Sequence, residues 1–204
     1  TDTYAMMIVD LPNIDDMKNY VGSKLLNKFK SNTDKIIKDV TAKSKNRCRI
    51  YDRNYIVRFS KEYTFSSSVG AAMETAINLI QEITKLNCKL SHKKNATIRC
   101  NITLVKREVT DDPSNVKSDF NVNFVNNVKL SPEEQIKNAF QLIVDGSVHD
   151  ILKNEYEFEQ LDSVQINGQM IMFYEAKIKD KIELIEVEDE IDEVKIPNFV
   201  QNML

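Results

Sequence analysis

Residues 141–176 read QLIVDGSVHDILKNEYEFEQLDSVQINGQMIMFYEA, and this stretch decides how the chain folds. Leu142, Ile143 and Val144 form a short apolar run that suits a buried strand. Asp145 follows, a residue type that caps helices by accepting hydrogen bonds from the first turn. Val148, Ile151 and Leu152 give the next helix its apolar side. Tyr156 to Leu161 is a Phe-containing stretch. Asn167-Gly168 is the dipeptide of a type I′ turn, so residues 164–176 predict a hairpin.

Upstream, residues 4–10 read as a buried strand through Met6, Met7, Ile8 and Val9, ended by Pro12 and Asn13. Ile14, Met17, Val21, Leu25, Phe29, Ile36 and Val40 then recur mostly at three or four residues. That is one long helix, capped by Asn13 or Asp15, with a solvated lysine-rich outer face. Residues 45–59 predict a hairpin turning near Asp52, Arg53 and Asn54. Ser66 to Ser68 form a plausible N-cap region for a second helix carrying Val69, Ala72, Met73, Ala76, Ile80 and Ile83.

Residues 97–105 alternate, with Ile98, Cys100, Ile102 and Leu104 on one face, as in a half-buried strand. Residues 111–118 hold Pro113 and read as a loop. Phe120, Val122 and Phe124 alternate again. Pro132 suits the first turn of a short helix ending near Ala139. From Lys177 onward the pattern predicts an edge strand, then an acidic tail. The domain is therefore drawn over residues 1–179, with an acidic C-terminal strand or tail over 180–204. Strands interspersed with helices and hairpins give the α+β class, with helices on one face of the sheet. The expected architecture is a ferredoxin-like βαββαβ core with a C-terminal strand-helix-hairpin extension.

Composition narrows the function. The 204 residues carry a net charge of −3, without the basic excess that nucleic-acid binding requires. No apolar stretch is long enough to span a bilayer. The chain starts at Thr1 rather than methionine and reads as a piece of something longer, with room upstream for a membrane anchor. Cys48, Cys88 and Cys100 form no CxxC pair and fit a reducing, cytoplasmic setting. Only four glycines occur, Gly22, Gly70, Gly146 and Gly168, so no GxGxxG or P-loop motif is possible. His92 and His149 read as surface residues.

In order and spacing, residues 141–176 resemble the C-terminal part of class III adenylate and guanylate cyclase domains. The first half agrees. The family's first metal-binding aspartate ends the first strand, where Met7-Ile8-Val9-Asp10-Leu11 stands. The second sits in the next hairpin turn, matched by Ile50-Tyr51-Asp52 with tyrosine in place of glycine. The resemblance therefore implies that Asp10 and Asp52 hold Mg2+ or Mn2+. Two such ions lower the pKa of the attacking ribose hydroxyl and neutralise the triphosphate, and magnesium takes hard oxygen ligands.

Other positions depart from the family. Its ribose-orienting asparagine falls on Asn126 or Asn127, so Asn127 is the catalytic candidate. Its transition-state arginine has no counterpart; Ser131 and Pro132 occupy that region, and Lys129 or Lys137 would be poor substitutes. The base-selecting position falls on Cys48, flanked by Arg47 and Arg49, so Arg47, Cys48, Arg49 and Tyr51 are the base-binding candidates. A second resemblance, to GGDEF diguanylate cyclase domains, shares the core and aspartate spacing. There Tyr51-Asp52-Arg53-Asn54-Tyr55 replaces the signature.

Three functions follow as expectations. One is a regulatory pseudo-cyclase with an incomplete site, which dimerises with itself or another cyclase-like domain, senses, or holds a nucleoside triphosphate without turnover. Another is an active cyclase making a 3′,5′-cyclic nucleotide. The third is a plain interaction module using the acidic tail.

Overall fold

The computed structural model describes residues 2–46, 48–51, 54–62, 64–94, 96–109, 130–166 and 168–187. Strand β1 (Thr3–Asp10) is central because its middle has no polar side: Tyr4, Ala5, Met6, Met7, Ile8 and Val9 are all buried. Such a strand needs cover on both faces. It pairs antiparallel with β3 (Asn54–Arg58), with Val9 opposite Tyr55. On its other side it pairs antiparallel with β4 (Cys100–Glu108), with Asp10 opposite Asn101. Strand β2 (Cys48–Tyr51) closes a hairpin onto β3.

Helices α1 (Lys18–Val21) and α2 (Ser23–Lys43) link β1 to β2, and α3 (Phe65–Lys94) links β3 to β4. The strand order β2-β3-β1-β4, antiparallel throughout, is the expected ferredoxin-like core. The extension adds β5 (Phe140–Asp145) parallel to β4, between α4 (Pro132–Lys137) and α5 (Gly146–Leu152). Strand β9 (Phe173–Ala176) pairs antiparallel with β5, and β6 (Phe158–Gln160) pairs with β9. Strands β7 (Val164–Ile166) and β8 (Gln169–Ile171) form the hairpin expected around Gly168, as a separate ribbon.

The sheet's two faces have different cover. Ala5, Met7, Val9, Val57, Cys100, Ile102, Leu104, Leu142 and Val144 pack on one side with α2, α3 and α5. The α2 stripe of Leu26, Phe29, Thr33, Ile37 and Val40 recurs at three or four residues, which keeps it on that side. Tyr4, Met6, Ile8, Ile56, Val105, Ile143 and Phe173 form a second cluster on the other face, met by Leu161, Val164 and Ile171.

Several local expectations are corrected. The long first helix breaks at Gly22, whose φ of 78° is left-handed. Ser66 to Ser68 do not precede α3 but lie in its first turn, since the helix starts at Phe65. The Thr64 and Ser67 hydroxyls and N–H groups cap it reciprocally, the Ser67 N–H donating to Thr64 Oγ1 at 3.1 Å and the Thr64 N–H to Ser67 Oγ at 3.1 Å. Ser68 is buried and its Oγ accepts from the Ala5 N–H at 2.9 Å, tying α3 to β1.

Strand β4 starts at Cys100, not Thr97, because side chains occupy the preceding backbone. Asn13 donates to the Thr97 carbonyl at 2.9 Å and accepts from the Arg99 N–H at 2.8 Å. Asn87 accepts from the Ile98 N–H at 2.6 Å and donates to its carbonyl at 2.8 Å. The middle of β4 is buried on both faces rather than one, since Thr103 and Val105 are covered as well. Strand β6 is an addition to the sequence reading. The segment after Lys177 makes a 3-10 turn (Lys179–Lys181) and no edge strand as far as residue 187. Gln81 holds it instead, donating to the Glu183 carbonyl and accepting from its N–H at 2.8 Å each, while Ile182 is buried. His149 is not a surface residue: it stacks on Tyr174 at 3.7 Å and meets Phe158 edge-on at 5.0 Å. The segment expected to alternate through Phe120, Val122 and Phe124 lies outside the described residues.

Candidate functional site

The second face of the sheet changes character at the end where β1 finishes. Asp10 lies opposite Asn101, and Asn101 lies beside Gln141 on β5. The next row inward, Ile8, Thr103 and Ile143, is buried and mostly apolar. Side chains two apart on a strand share a face. Asp10 therefore shares Ile8's face, Asn101 shares Val105's and Gln141 shares Ile143's, all turned away from the helices. The row is polar, and two of its oxygens are orphaned. Asn101 Oδ1 and Gln141 Oε1 are buried and accept no hydrogen bond. Asp10 is close enough to the neighbouring strand to raise the Cys100 thiol, which burial first and the Asp10 charge second push up to about 12.

The β2–β3 hairpin closes between the paired residues Tyr51 and Asn54, at the same end of the sheet as Asp10, since Tyr55 lies opposite Val9. At β2, alternation separates two base-binding candidates. Cys48 pairs with Val57 and packs toward the helix layer. There Asp34 of α2 accepts from the Tyr55 hydroxyl at 3.0 Å and pairs with Lys38 at 2.8 Å. Burial, partly offset by Lys38, pushes the Cys48 thiol up to about 11. Burial, then Asp34, also raises the Tyr55 hydroxyl well above its usual range. Both groups stay neutral at physiological pH. Arg49 is exposed and pairs with Ile56, so it shares Asp10's face.

This chain matches solved structures over nearly its whole length. The adenylyl cyclase CyaB from P. aeruginosa superposes with a TM-score of 0.62 at 7% identity, covering 93% of this chain and 96% of that one. A dimeric guanylyl cyclase domain of the RhoGC fusion protein from the aquatic fungus Blastocladiella emersonii gives 0.57 at 13% identity, over 87% and 97%. The guanylate cyclase domain of RhGC from Catenaria anguillulae, solved in complex with GTP, gives 0.58 at 13%, over 86% and 96%. This is a class III nucleotidyl cyclase fold. No protein-family model and no curated protein matches the sequence.

Within the cyclase-fold chain, the expected site residues divide into those placed and those beyond description. Asp10 and Arg49 come to one face, and Cys48 goes to the other. Arg47, Asp52, Asn126, Asn127 and Lys129 lie outside the described residues, as does the side chain of Tyr51. Lys137 lines a groove with Cys88 and His92 of α3 and Ile182 of the C-terminal segment. Ser131 and Pro132, standing where an arginine was sought, start α4: Ser131 Oγ accepts from the Glu134 N–H at 3.3 Å and Glu134 returns the bond to the Ser131 N–H.

The residues at Asp10 suit a hard cation. Among the described residues, no three His, Cys, Asp or Glu side chains gather to hold a metal. Further ligands would therefore be neutral oxygens, which hard divalent ions accept, and orphaned amide oxygens stand in the same row. Asn101 and Gln141 were missed by sequence reading. Their signal was the polar phase of two strands whose apolar phase drew the attention.

Proposed function

We propose that this chain is a regulatory, dimerising, nucleotide-binding pseudo-cyclase with an incomplete active site. The observation that carries it is the start of α4. Where the family resemblance asks for an arginine facing the phosphates, Ser131 forms a capping box with Glu134 and Pro132 begins the helix. Fixed positive charge aimed at a transferring phosphoryl group is usually a large catalytic contribution, so its loss favours binding over turnover.

Asp10, with Asp52 in the adjacent hairpin, would hold Mg2+ or Mn2+. Such an ion would supply positive charge against triphosphate oxygens and lower the pKa of a ribose hydroxyl. Asp10 itself contributes a carboxylate set at the end of a rigid central strand. Arg49 lies on the same face, where it would meet a base or a phosphate. The GTP complex of the Catenaria domain supports a purine nucleoside triphosphate as ligand. The dimeric Blastocladiella domain supports a second cyclase-like chain, identical or not, as partner. Among the described residues no helix is long and apolar enough to cross a membrane.

The test is incubation with each of the four nucleoside triphosphates and Mn2+, read by cyclic product and by thermal shift. The expected result is a shift without product. Product that disappears in both Asp10→Ala and Asp52→Ala would establish an active cyclase instead. Neither shift nor product would leave an interaction module.

A further inference from the structure

A carboxylate on the last residue of a strand is held only as firmly as the chain that leaves it. Asp10 ends β1, and its register partner Asn101 stands near the start of β4. The two strands could be fastened further by more rungs of the ladder, but Pro12 has no N–H to offer. The turn after Asp10 has a long backbone bond of its own, from the Ile14 N–H to the Leu11 carbonyl at 3.3 Å. Asp15 pairs with Lys30 of α2, an exposed ion pair of the kind that holds little.

Asn13 supplies the missing rung. Its Nδ2 donates to the Thr97 carbonyl at 2.9 Å, and its Oδ1 accepts from the Arg99 N–H at 2.8 Å. An extended chain turns a carbonyl and the N–H two residues later to the same side. One carboxamide can therefore pair with both, as a neighbouring strand would. The Ile98 N–H and carbonyl, on the opposite side, go to Asn87. A closed loop results. The chain leaves Asp10, turns through Leu11 and Pro12, crosses by the Asn13 side chain to Arg99, and reaches Asn101 through Cys100. Both members of the Asp10–Asn101 pair are thereby tied to each other a second time.

We propose that Asn13 is a positioning residue for the Asp10 site. It acts as a one-residue strand that fixes the end of β1 against the entry to β4, and so sets where the carboxylate meets a cation. This rests on the reading of Asp10 as a metal ligand, and it adds a residue which the resemblance does not supply. Asn13 acts through Asp10 and not on the ion. Groups that orient a metal ligand from behind commonly contribute about tenfold or more in affinity.

The experiment titrates the chain with Mn2+, with and without nucleoside triphosphate, counting free ion by electron paramagnetic resonance. Amide hydrogen exchange is followed in parallel on the metal-free chain. Asn13→Ala is expected to weaken Mn2+ binding on the order of tenfold, to alter the spectrum of the ion that still binds, and to speed exchange at Arg99. Asn13→Asp keeps the acceptor for Arg99 and loses the donor to Thr97, so it is the milder variant and should leave the Arg99 amide protected. Ile37→Val, which trims a buried side chain of α2 on the helix side, is the control for stability alone. It should lower the unfolding temperature and leave Mn2+ affinity unchanged. An equal loss of affinity in Ile37→Val would overturn the inference. So would Mn2+ binding that needs Asp10 but is unchanged in Asn13→Ala, and that result would leave the metal reading of Asp10 intact. Absence of Mn2+ binding to the unaltered chain, with and without nucleotide, would overturn both.

Discussion

Two aspartates end strands on the same face of this sheet, and their fates differ. Asp10 closes β1 and Asp145 closes β5, but β1 runs antiparallel to β4 and β5 runs parallel to it, so they sit at opposite ends. Asp145 is absorbed by the architecture. Its Oδ1 accepts from the Val148 N–H at 2.9 Å, capping α5, and its Oδ2 accepts from the Lys106 N–H at 2.8 Å, fastening β4. Burial raises its carboxyl above the ordinary value, and those two N–H groups with the Arg107 and Lys106 charges only partly offset this. Asp10 stands instead beside two amide oxygens that have no donor. One end of the face has both carboxylate oxygens bonded to backbone N–H groups, and the other keeps two buried amide oxygens without a donor.

Substitution at the closed end should have the largest effect. Asp145→Ala leaves a buried and a part-buried N–H group unpaired and should cost about 3 kcal/mol in urea denaturation. Asp10→Ala should cost less metal-free stability than Asp145→Ala while abolishing Mn2+ binding. Equal losses at the two positions would break the comparison.

Next comes Asn87→Ala, which removes both hydrogen bonds that place the Ile98 backbone ahead of β4. About 2 kcal/mol should be lost, and hydrogen exchange should show the entry to β4 opening. That entry sets the register bringing Asn101 opposite Asp10, so Mn2+ binding should weaken in the same variant. At the open end the sign reverses: Gln141→Met should gain about 1 kcal/mol without metal, because an orphaned acceptor leaves the interior.

The last prediction concerns pH. Folding raises the Cys48 and Cys100 thiols from 9.0 to about 11 and about 12. The folded chain therefore holds these protons after the unfolded chain has released them, and stability falls as pH rises above about 9. Unfolding midpoints at pH 7.5 and 10 should show this fall, reduced in Cys100→Ala. An unchanged slope in that variant would assign the alkaline loss to other groups, such as Tyr55.

Much of the fold was legible because local chemistry and periodicity encode it. Asp145 reads as a cap before Val148, Asn167-Gly168 reads as a turn, and the apolar run of β1 reads as a buried strand. All three signals lie within a few residues of what they specify. Asp10 was named as a metal-ligand candidate from the resemblance to the cyclase family, and the structure puts it at the end of β1. Other features depended on residues far apart in the chain. The start of β4 was misplaced because Asn13 and Asn87, 84 and 11 residues from their backbone partners, hold residues 97–99 out of the ladder. The edge strand after Lys177 failed because Gln81, 102 residues away, takes the Glu183 backbone.

The candidate site shows the same division. By itself the sequence determined most of the elements, their order and the presence of a carboxylate at the end of β1, since these follow from side-chain period and turn chemistry. Tertiary structure alone decided that Asn101 and Gln141 stand beside Asp10. Strand register is a pairing between distant segments, and a shift of one residue would have turned both amides to the helix side.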